Sequence, residues 1–572
     1  MQFDMKQWQA VLREGFVFPQ IPRTIPLWEA VSTAQNAVVE HLKTSPQVLD
    51  YITNLDKGPG TCCPNSDVKE LVLYISDQRS GAIDKDDPAI TAAFIENIIM
   101  PVVSFERNQC VAAAMTSNDA TVTEKVLLTG GANLAEYVSL FWLKWYRTVA
   151  TPYLILPEET RDKWDEAFKR LLPEYDYTVF EHHDTAGLES SQFTIGERST
   201  WSQAFPAEIS AIIGQIISIS RALTDNGCDE PELMDYLGAL VAAYGCPDVE
   251  SLETCWSLVD EKWIRVPASI RVIFVHGMEG GYGHHCVAPE MFVQVRTPLD
   301  RDLIEETMDG VVGYAAGQNF DDGSDLDQRL NLLDAAVFMT PVRAGSALAF
   351  RPAGSVVPNR ANVRKVGGKI FVDHASLDSA ANIYHGLYEK HCQAASAAAL
   401  KELLAGKTVE KHILLHEYSH PVARTDETDD VLGFWLHRHD EAKATVHGLL
   451  AWLEIHPEET AKTAALCVGR CLRFFMNSKL NDPTFEHYVR ECLVLFYTMY
   501  EADVIMLNDE GVSVYLDESG MEDWLENMHQ YVANVVECYK NLDSSGLEQL
   551  GKRFWDLSKG SEAASLIAWV NR

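Results

Sequence analysis

The chain has 572 residues, of which 47% are hydrophobic and 10% aromatic, and this composition supplies enough apolar surface for folded cores and argues against long disordered stretches. Lys and Arg total 47 against 83 Asp and Glu, so the formal net charge is −36. A charge of this sign repels nucleic acid phosphates and anionic lipid headgroups. We therefore predict a folded protein with neither nucleic acid nor membrane partners.

The N-terminal region, residues 1–150, is predicted to be helical. Its amphipathic runs include PLWEAVSTAQNAVVEHL and AITAAFIENIIMPVVSF. The first residues, MQFDMKQWQAVLREGF, lack a basic segment followed by an apolar one, and no stretch approaches about 18 uninterrupted apolar residues. We expect a soluble, cytoplasmic protein whose 12 cysteines are free thiols.

The middle region, residues 151–375, mixes helical periodicity with β-like runs, which are IRVIFVHG, EMFVQVRT and GGKIFVDHA. From residue 376 to 572 the pattern returns to long amphipathic helices, interrupted by the β-like GVSVYLD at 511–517. We predict a predominantly helical α+β protein of two lobes, with a mixed middle unit. The helical C-terminal lobe would carry a metal site, and the middle unit would form the facing wall of a cleft.

The segment KHILLHEYSHP carries the strongest chemical signal in the chain. His416 and His420 are four residues apart, so a helix places both imidazoles on one face, where they can share a metal ion. Glu417 then lies beside the metal and is suited to take a proton from the attacking water and return it to the leaving group. Pro421 cannot donate a backbone hydrogen bond, so the helix is predicted to end or kink there.

A third ligand candidate lies on the next predicted helix, HRHDEAKATVHGLLAWLEI. Glu441 follows His420 by 21 residues, which leaves room for a loop that folds this helix back alongside the first. Two histidines and one glutamate, with a fourth position left for water, form the open ligand set of a catalytic zinc site. The sequence therefore predicts a metal site at His416, His420 and Glu441.

The motif and the distant glutamate together resemble the gluzincin metallopeptidases, and DEAKATVHGL is similar to the E-E-x-(K/R)-A motif of the dipeptidyl-peptidase III family. The resemblance is strongest over 411–450 and weaker over 376–545. It implies that His416, His420 and Glu441 bind zinc and that Glu417 is the general base and acid. HEYSH lacks the extra residue of the dipeptidyl-peptidase III motif. Thr445 also replaces an acid that such helices often carry four residues after the ligand glutamate, so some other group is expected to orient that imidazole.

A peptidase also needs a hydrogen-bond donor for the oxyanion that forms on attack. The helical run FEHYVRECLVLFYTMYEAD offers His487, Tyr488, Arg490, Tyr497 and Tyr500, and any of these can equally be a packed core residue. We select Tyr500 and His487 as catalytic candidates.

Three weaker signals have simpler structural explanations. The Gly-rich segment HGMEGGYGHHCVAPE, with His276, His284 and His285, is either a flexible hairpin or a loop lining the cleft. His182 and Asp184 match the His-x-Asp of iron oxygenases but lack the strand spacing of that fold, which favours a solvated turn. Cys467 and Cys471 have no nearby His or Cys to complete a metal site.

The leading functional hypothesis is metal-dependent, zinc-assisted hydrolysis of a peptide or a related small-molecule amide. The alternative is a non-haem Fe(II) enzyme, because two histidines and one carboxylate also bind iron for oxygen-dependent chemistry on a small amino-acid-like metabolite. A pseudoenzyme would tolerate substitution of Glu417 without loss of activity. The motif specifies the chemistry and not the substrate.

Overall fold

A computed structural model of the chain describes a set of segments, which are residues 5–55, 88–173, 175–181, 188–276, 280–282, 286–298, 301–348, 354–357, 360, 363, 365–476, 480, 485–555 and 561–572. The chain divides into two compact units. Unit 1 comprises Met1–Thr297, Phe338–Arg351 and Val357–Val366, and unit 2 comprises Pro298–Val337, Pro352–Val356 and Gly367–Arg572. The middle sequence region contributes segments to both units.

Helices make up most of the described chain, so the predicted α+β, predominantly helical fold class is confirmed. The α-helices of unit 1 are Met5–Arg13, Leu27–Thr44, Pro46–Leu55, Pro88–Phe94, Met100–Thr116, Val122–Trp145, Thr151–Leu154, Glu158–Leu171, Trp201–Ala204, Pro206–Asp225, Pro231–Tyr244 and Leu252–Ile264, with π-helical turns at Ile95–Ile99 and Tyr146–Ala150. Those of unit 2 are Arg301–Gly317, Gly323–Leu330, His374–His391, Ala394–Leu403, Gly406–Ser419, Asp426–Ile455, Thr460–Phe474, Glu486–Glu501, Glu518–Lys540, Ser544–Phe554 and Glu562–Val570.

The β-like runs predicted in the middle region form strands. In unit 1, Val272–His276 pairs antiparallel with Glu290–Arg296, which pairs antiparallel with the end of the strand Leu333–Gly345. The remaining strands are Thr178–Val179, Ser199–Thr200, Gly280–Tyr282, Cys286–Val287, Gly354–Val357, Gly368–Asp373, Ile505–Asn508 and Gly511–Val514. The strand Gly511–Val514 confirms the predicted GVSVYLD element.

One helical stretch, Val122–Leu154, is long and apolar enough to cross a membrane by length and composition. Thr121 caps its start by accepting from the Glu124 backbone N–H, while the Glu124 carboxylate accepts from Thr121 in return. Its most apolar window is 67% buried within the protein, as in the core helix of a folded unit. The cytoplasmic location and the exclusion of nucleic acid remain predictions from the sequence.

Unit 2 is organised around one hydrophobic cluster into which both predicted metal-binding helices pack. The first site helix, Gly406–Ser419, ends immediately before Pro421, as predicted. His420 lies at its C-cap and keeps helical dihedrals, with φ −56° and ψ −43°, so its side chain stays on the face of the helix that carries His416.

The second site helix, Asp426–Ile455, begins at the Thr425 cap and changes direction at Gly433, where φ is 39° and ψ is −105°. That conformation strains any residue with a side chain, so glycine permits the kink. The segment after the kink carries Asp440 and Glu441 and runs beside the first site helix. The helix predicted from HRHDEAKATVHGLLAWLEI is therefore present, with an N-terminal extension.

The two site helices approach each other closely at Gly448. A Cβ atom at this position would lie 2.6 Å from the Leu415 carbonyl oxygen, which is backbone and cannot rotate away. We expect Gly448→Ala to cost about 1–3 kcal/mol of stability, as overpacked cores do, and to weaken metal binding by separating the helices. Thermal unfolding and zinc titration measure the two effects.

Gly386→Ala is the matched control for this prediction. Gly386 is also helical and in unit 2, but its Cβ would meet no atom within 4 Å. Alanine there is expected to be neutral or to add up to about 1 kcal/mol of helix propensity. If Gly448→Ala and Gly386→Ala had the same thermal stability and the same zinc affinity, the close approach at Gly448 would not set the helix separation.

Candidate metal centre

Two histidine nitrogen atoms and one glutamate oxygen atom converge between the two site helices. The Nε2 atoms of His416 and His420 are 3.1 Å apart, and His416 Nε2 is 3.1 Å from Glu441 Oε2. One ligand atom from each of the three residues lies within 4.8 Å of the others. The structure thus brings together the three residues that the sequence predicts as ligands.

Asp440 orients the second imidazole of this cluster. His420 Nδ1 lies 2.9 Å from Asp440 Oδ2, and the same carboxylate contacts Arg424 at 3.0 Å and Lys443 at 3.0 Å. Burial alone would raise the pKa of Asp440, but Lys443, Arg424 and His420 hold it well below its ordinary value. Asp440 is therefore an acceptor, His420 Nδ1 donates to it, and the lone pair of Nε2 faces the cluster.

Thr445 contacts the imidazole of His416. The sequence predicts that a group other than Thr445 orients this ring. Thr445 Oγ1 lies 2.8 Å from His416 Nδ1 and 3.0 Å from Glu491 Oε1. Arg470 on the neighbouring helix Thr460–Phe474 donates to both oxygens of Glu491, at 2.9 and 2.6 Å. The expectation was wrong in one respect, because the Thr445 hydroxyl itself contacts the ring.

Lys443 completes the end of the first site helix. Helices end with carbonyl groups that have no partner within the helix, and Pro421 cannot supply an N–H. The fully buried Lys443 ammonium donates to the carbonyls of Ser419, His420 and Val422, at 3.2, 2.7 and 3.1 Å. It thereby holds the backbone of His420 in place.

The charges around the cluster favour a cation. Burial alone would lower the pKa of His416, but the hydrogen bond and charge of Glu441, with Glu417 and Glu491, raise it to about 9. Burial alone would raise the pKa of Glu441, whereas His416 and His420 lower it to about 2. The local field therefore stabilises positive charge at the meeting point of the three side chains.

The donor set fits a zinc ion. In a tetrahedral zinc site with Zn–N bonds of about 2.0–2.1 Å, two ligand nitrogens lie about 3.3 Å apart, close to the 3.1 Å between the two Nε2 atoms. Glu441 Oε2 is a buried carboxylate oxygen 3.1 Å from His416 Nε2, so a cation bound by both atoms would take the place of the proton between them.

Tyr488 is the aromatic candidate whose electrostatics connect it to the cluster. It lies on the third site helix, Glu486–Glu501, partly buried, with its ring stacked on Phe474 at 5.3 Å. The charge of Glu441, then burial, then the charge of Glu417 raise its pKa well above the ordinary value. Its phenol therefore remains protonated and available as a donor.

Tyr500 and His487 were the other sequence candidates. Tyr500 is 12 residues beyond Tyr488, about 18 Å along the helix axis, and its ring stacks on Phe496 at 5.6 Å. His487 interacts electrostatically with His437, and its buried Nδ1 has no hydrogen-bond partner among the described residues.

Three further sequence signals have different outcomes. His276 lies in unit 1, buried, with Nδ1 3.2 Å from the Tyr244 hydroxyl. The residues His182, Asp184, His284 and His285 lie outside the described residues. Cys467 and Cys471 are buried free thiols, and the Cys471 thiol donates to the carbonyl of Cys492.

Sequence reasoning missed Glu491 and Arg470, although both left a signal. Each is a charged residue inside an apolar helical run, VRECLVLF and CVGRCLRF, and such residues are rarely buried unless they are paired. Lys443 also lay within the quoted DEAKA segment, but nothing in the pattern indicated that its ammonium would reach the preceding helix.

Comparisons with known proteins address the fold. No family model and no curated protein sequence matches the chain. Solved structures do match, at low identity, among them the following two. Dipeptidyl-peptidase III from Caldithrix abyssi superimposes with a TM-score of 0.56 at 14% identity, covering 79% of this chain and 94% of the other. Dipeptidyl-peptidase III from Corallococcus sp. strain EGB gives 0.54 at 13%, covering 78% and 90%. The chain therefore has a fold similar to that of dipeptidyl-peptidase III over most of its length.

Proposed function

We propose that the chain is a zinc-dependent metallopeptidase or a closely related amide hydrolase. The observation that carries the proposal is the convergence of His416 Nε2, His420 Nε2 and Glu441 Oε2, with one ligand atom from each residue lying within 4.8 Å of the others. The fold shared with two structures named dipeptidyl-peptidase III supports the same chemistry. Peptides are accordingly the substrate class we propose.

His416, His420 and Glu441 would hold the metal from three sides and leave one side open. A bound zinc ion would supply Lewis acidity, which lowers the pKa of water and polarises a carbonyl. Glu417 follows His416 directly on the helix and is buried, and its charge contributes to the raised pKa of His416. We assign it to accept a proton from the attacking water and to pass that proton to the leaving amine.

We assign the oxyanion-donor role to Tyr488, in preference to Tyr500 and His487. Its pKa responds most strongly to the charge of Glu441 and also to that of Glu417, which supports this assignment, and the raised pKa keeps the proton on the oxygen. A neutral phenol can donate a hydrogen bond to negative charge that develops on a carbonyl oxygen. The ring of Tyr500 stacks on Phe496, and the charge of His487 acts on His437.

The first experiment measures the metal itself. We expect about one zinc per chain by elemental analysis, and loss of that zinc in Glu441→Ala. The affinity should fall by more than the roughly 10–100-fold that removal of an outer hydrogen-bond partner costs, because a ligand is lost. Glu454→Ala removes an exposed carboxylate from the same helix and should retain full zinc.

The second experiment measures activity on a peptide library. Hydrolysis should cease when a chelator removes the metal and return when zinc is added. Full zinc occupancy without hydrolysis of any peptide or amide would overturn the peptidase proposal. Stoichiometric native iron with oxygen consumption would instead favour the Fe(II) alternative.

A further inference from the structure

The hydroxyl of Thr445 lies between a proposed metal ligand and a buried carboxylate. It is 2.8 Å from His416 Nδ1 on one side and 3.0 Å from Glu491 Oε1 on the other. Thr445 is 1% exposed and Glu491 is 0% exposed, so water does not compete for these contacts. His416, Thr445 and Glu491 thus form a continuous chain of contacts across the three site helices.

The protons in this chain have one consistent arrangement. Arg470 donates to both oxygens of Glu491, so the glutamate acts as a carboxylate that only accepts. The Thr445 hydroxyl has a single proton, which it donates to Glu491. Its oxygen must then accept from His416 Nδ1, which therefore carries the imidazole proton.

We propose that Glu491 positions the metal ligand His416 through the Thr445 hydroxyl, as a carboxylate–hydroxyl–imidazole relay. Glu491 and Thr445 are positioning residues here, and the inference rests on the proposed function. With a metal bound, the relay would keep the imidazole proton on Nδ1 and leave the lone pair of Nε2, the atom that faces His420 and Glu441, for the ion. Asp440 does the same for His420 by direct contact, so both imidazoles present Nε2 to the same point.

Arg470 gives the relay its fixed geometry. The guanidinium binds Glu491 through two parallel hydrogen bonds, and its side chain is 13% exposed. A bidentate pair of this kind fixes the plane of the carboxylate. The direction in which Thr445 must donate is thereby fixed as well.

The test compares zinc affinity by chelator competition in the full-length chain. Thr445→Val keeps the shape of the side chain and removes the hydroxyl, while Glu491 stays paired with Arg470. We expect zinc affinity to fall about 10–100-fold, and Thr445→Ser, which restores the hydroxyl, to recover most of it. The absorption spectrum of the cobalt-substituted protein should shift in the valine variant and return in the serine variant.

Ser419→Ala is the matched control, because it removes a second buried hydroxyl–imidazole contact between the same two helices. Ser419 Oγ lies 3.1 Å from His447 Nδ1, and neither side chain belongs to the proposed ligand set. We expect Thr445→Val and Ser419→Ala to lose similar amounts of stability, because each removes one buried hydroxyl–imidazole contact. The zinc affinity of Ser419→Ala should stay within about twofold of the wild type, as expected for independent sites.

A double-mutant cycle links the carboxylate to the hydroxyl. Glu491→Gln should weaken zinc binding in the wild-type background and add little once Thr445 is Val, because the connection is already broken. Unchanged zinc affinity in Thr445→Val, or additive losses in the double variant, would overturn the relay alone. Absence of zinc binding in the wild type would overturn the proposed function together with the relay.

Discussion

Glu417→Gln is expected to lower kcat for peptide hydrolysis by about 10²–10⁴-fold, the contribution of a positioned general base. Glutamine has the same shape, but its amide cannot accept a proton from water at neutral pH. Glu417 is 7% exposed, follows the proposed ligand His416 by one position and is not one of the three residues proposed to hold the metal. The loss should therefore appear in kcat while zinc stays bound.

The control for this prediction is Glu427→Gln, which neutralises an exposed carboxylate on the second site helix. Its activity should match the wild type. Zinc content must be measured in both variants, since an empty site would also abolish turnover. An active, zinc-loaded Glu417→Gln enzyme would exclude Glu417 as the general base.

Lys443→Met is expected to destabilise unit 2 by about 3–5 kcal/mol, as the breaking of buried charge pairs does. Methionine fills similar space but leaves three carbonyls at the end of the first site helix without their donor. Asp440 also loses a cation 3.0 Å away. The denaturant midpoint should fall, and hydrogen exchange should accelerate over residues 411–425.

Lys462→Met is the control, because Lys462 is exposed whereas Lys443 is buried. Its side chain is 46% exposed and pairs with Glu459 at the surface, so the change should stay within about 0.5 kcal/mol. Similar denaturant midpoints for the two variants would mean that the buried ammonium contributes no more than a surface charge.

The sequence predicted the cluster of His416, His420 and Glu441 because its formation depends on local periodicity. A spacing of four places His416 and His420 on one helical face, and the proline after them ends the helix. Glu441 needed only a loop and a second amphipathic helix. The class of fold followed from the same periodicities, together with the β-like runs of the middle region.

The choice of oxyanion donor could not be made in the same way. The third site helix is buried around most of its circumference, including Val489–Phe496, so its apolar pattern does not indicate which face meets the cluster. Tyr488 and Tyr500 are therefore equivalent in the sequence and differ only through tertiary packing. The strand Ile505–Asn508 was also missed, although the NDEG turn after it is typical of a hairpin.

The proposed ligands occupy a short part of the chain. His416 to Glu441 spans 26 residues within a single helical hairpin, whereas Glu491 and Arg470 come from helices formed later in the chain. Closing a loop over so short a segment has a small entropic cost. The helical hairpin can therefore bring the three proposed ligands together without the carboxylate of Glu491. The group behind His416 can therefore be replaced without rebuilding the hairpin that would hold the metal.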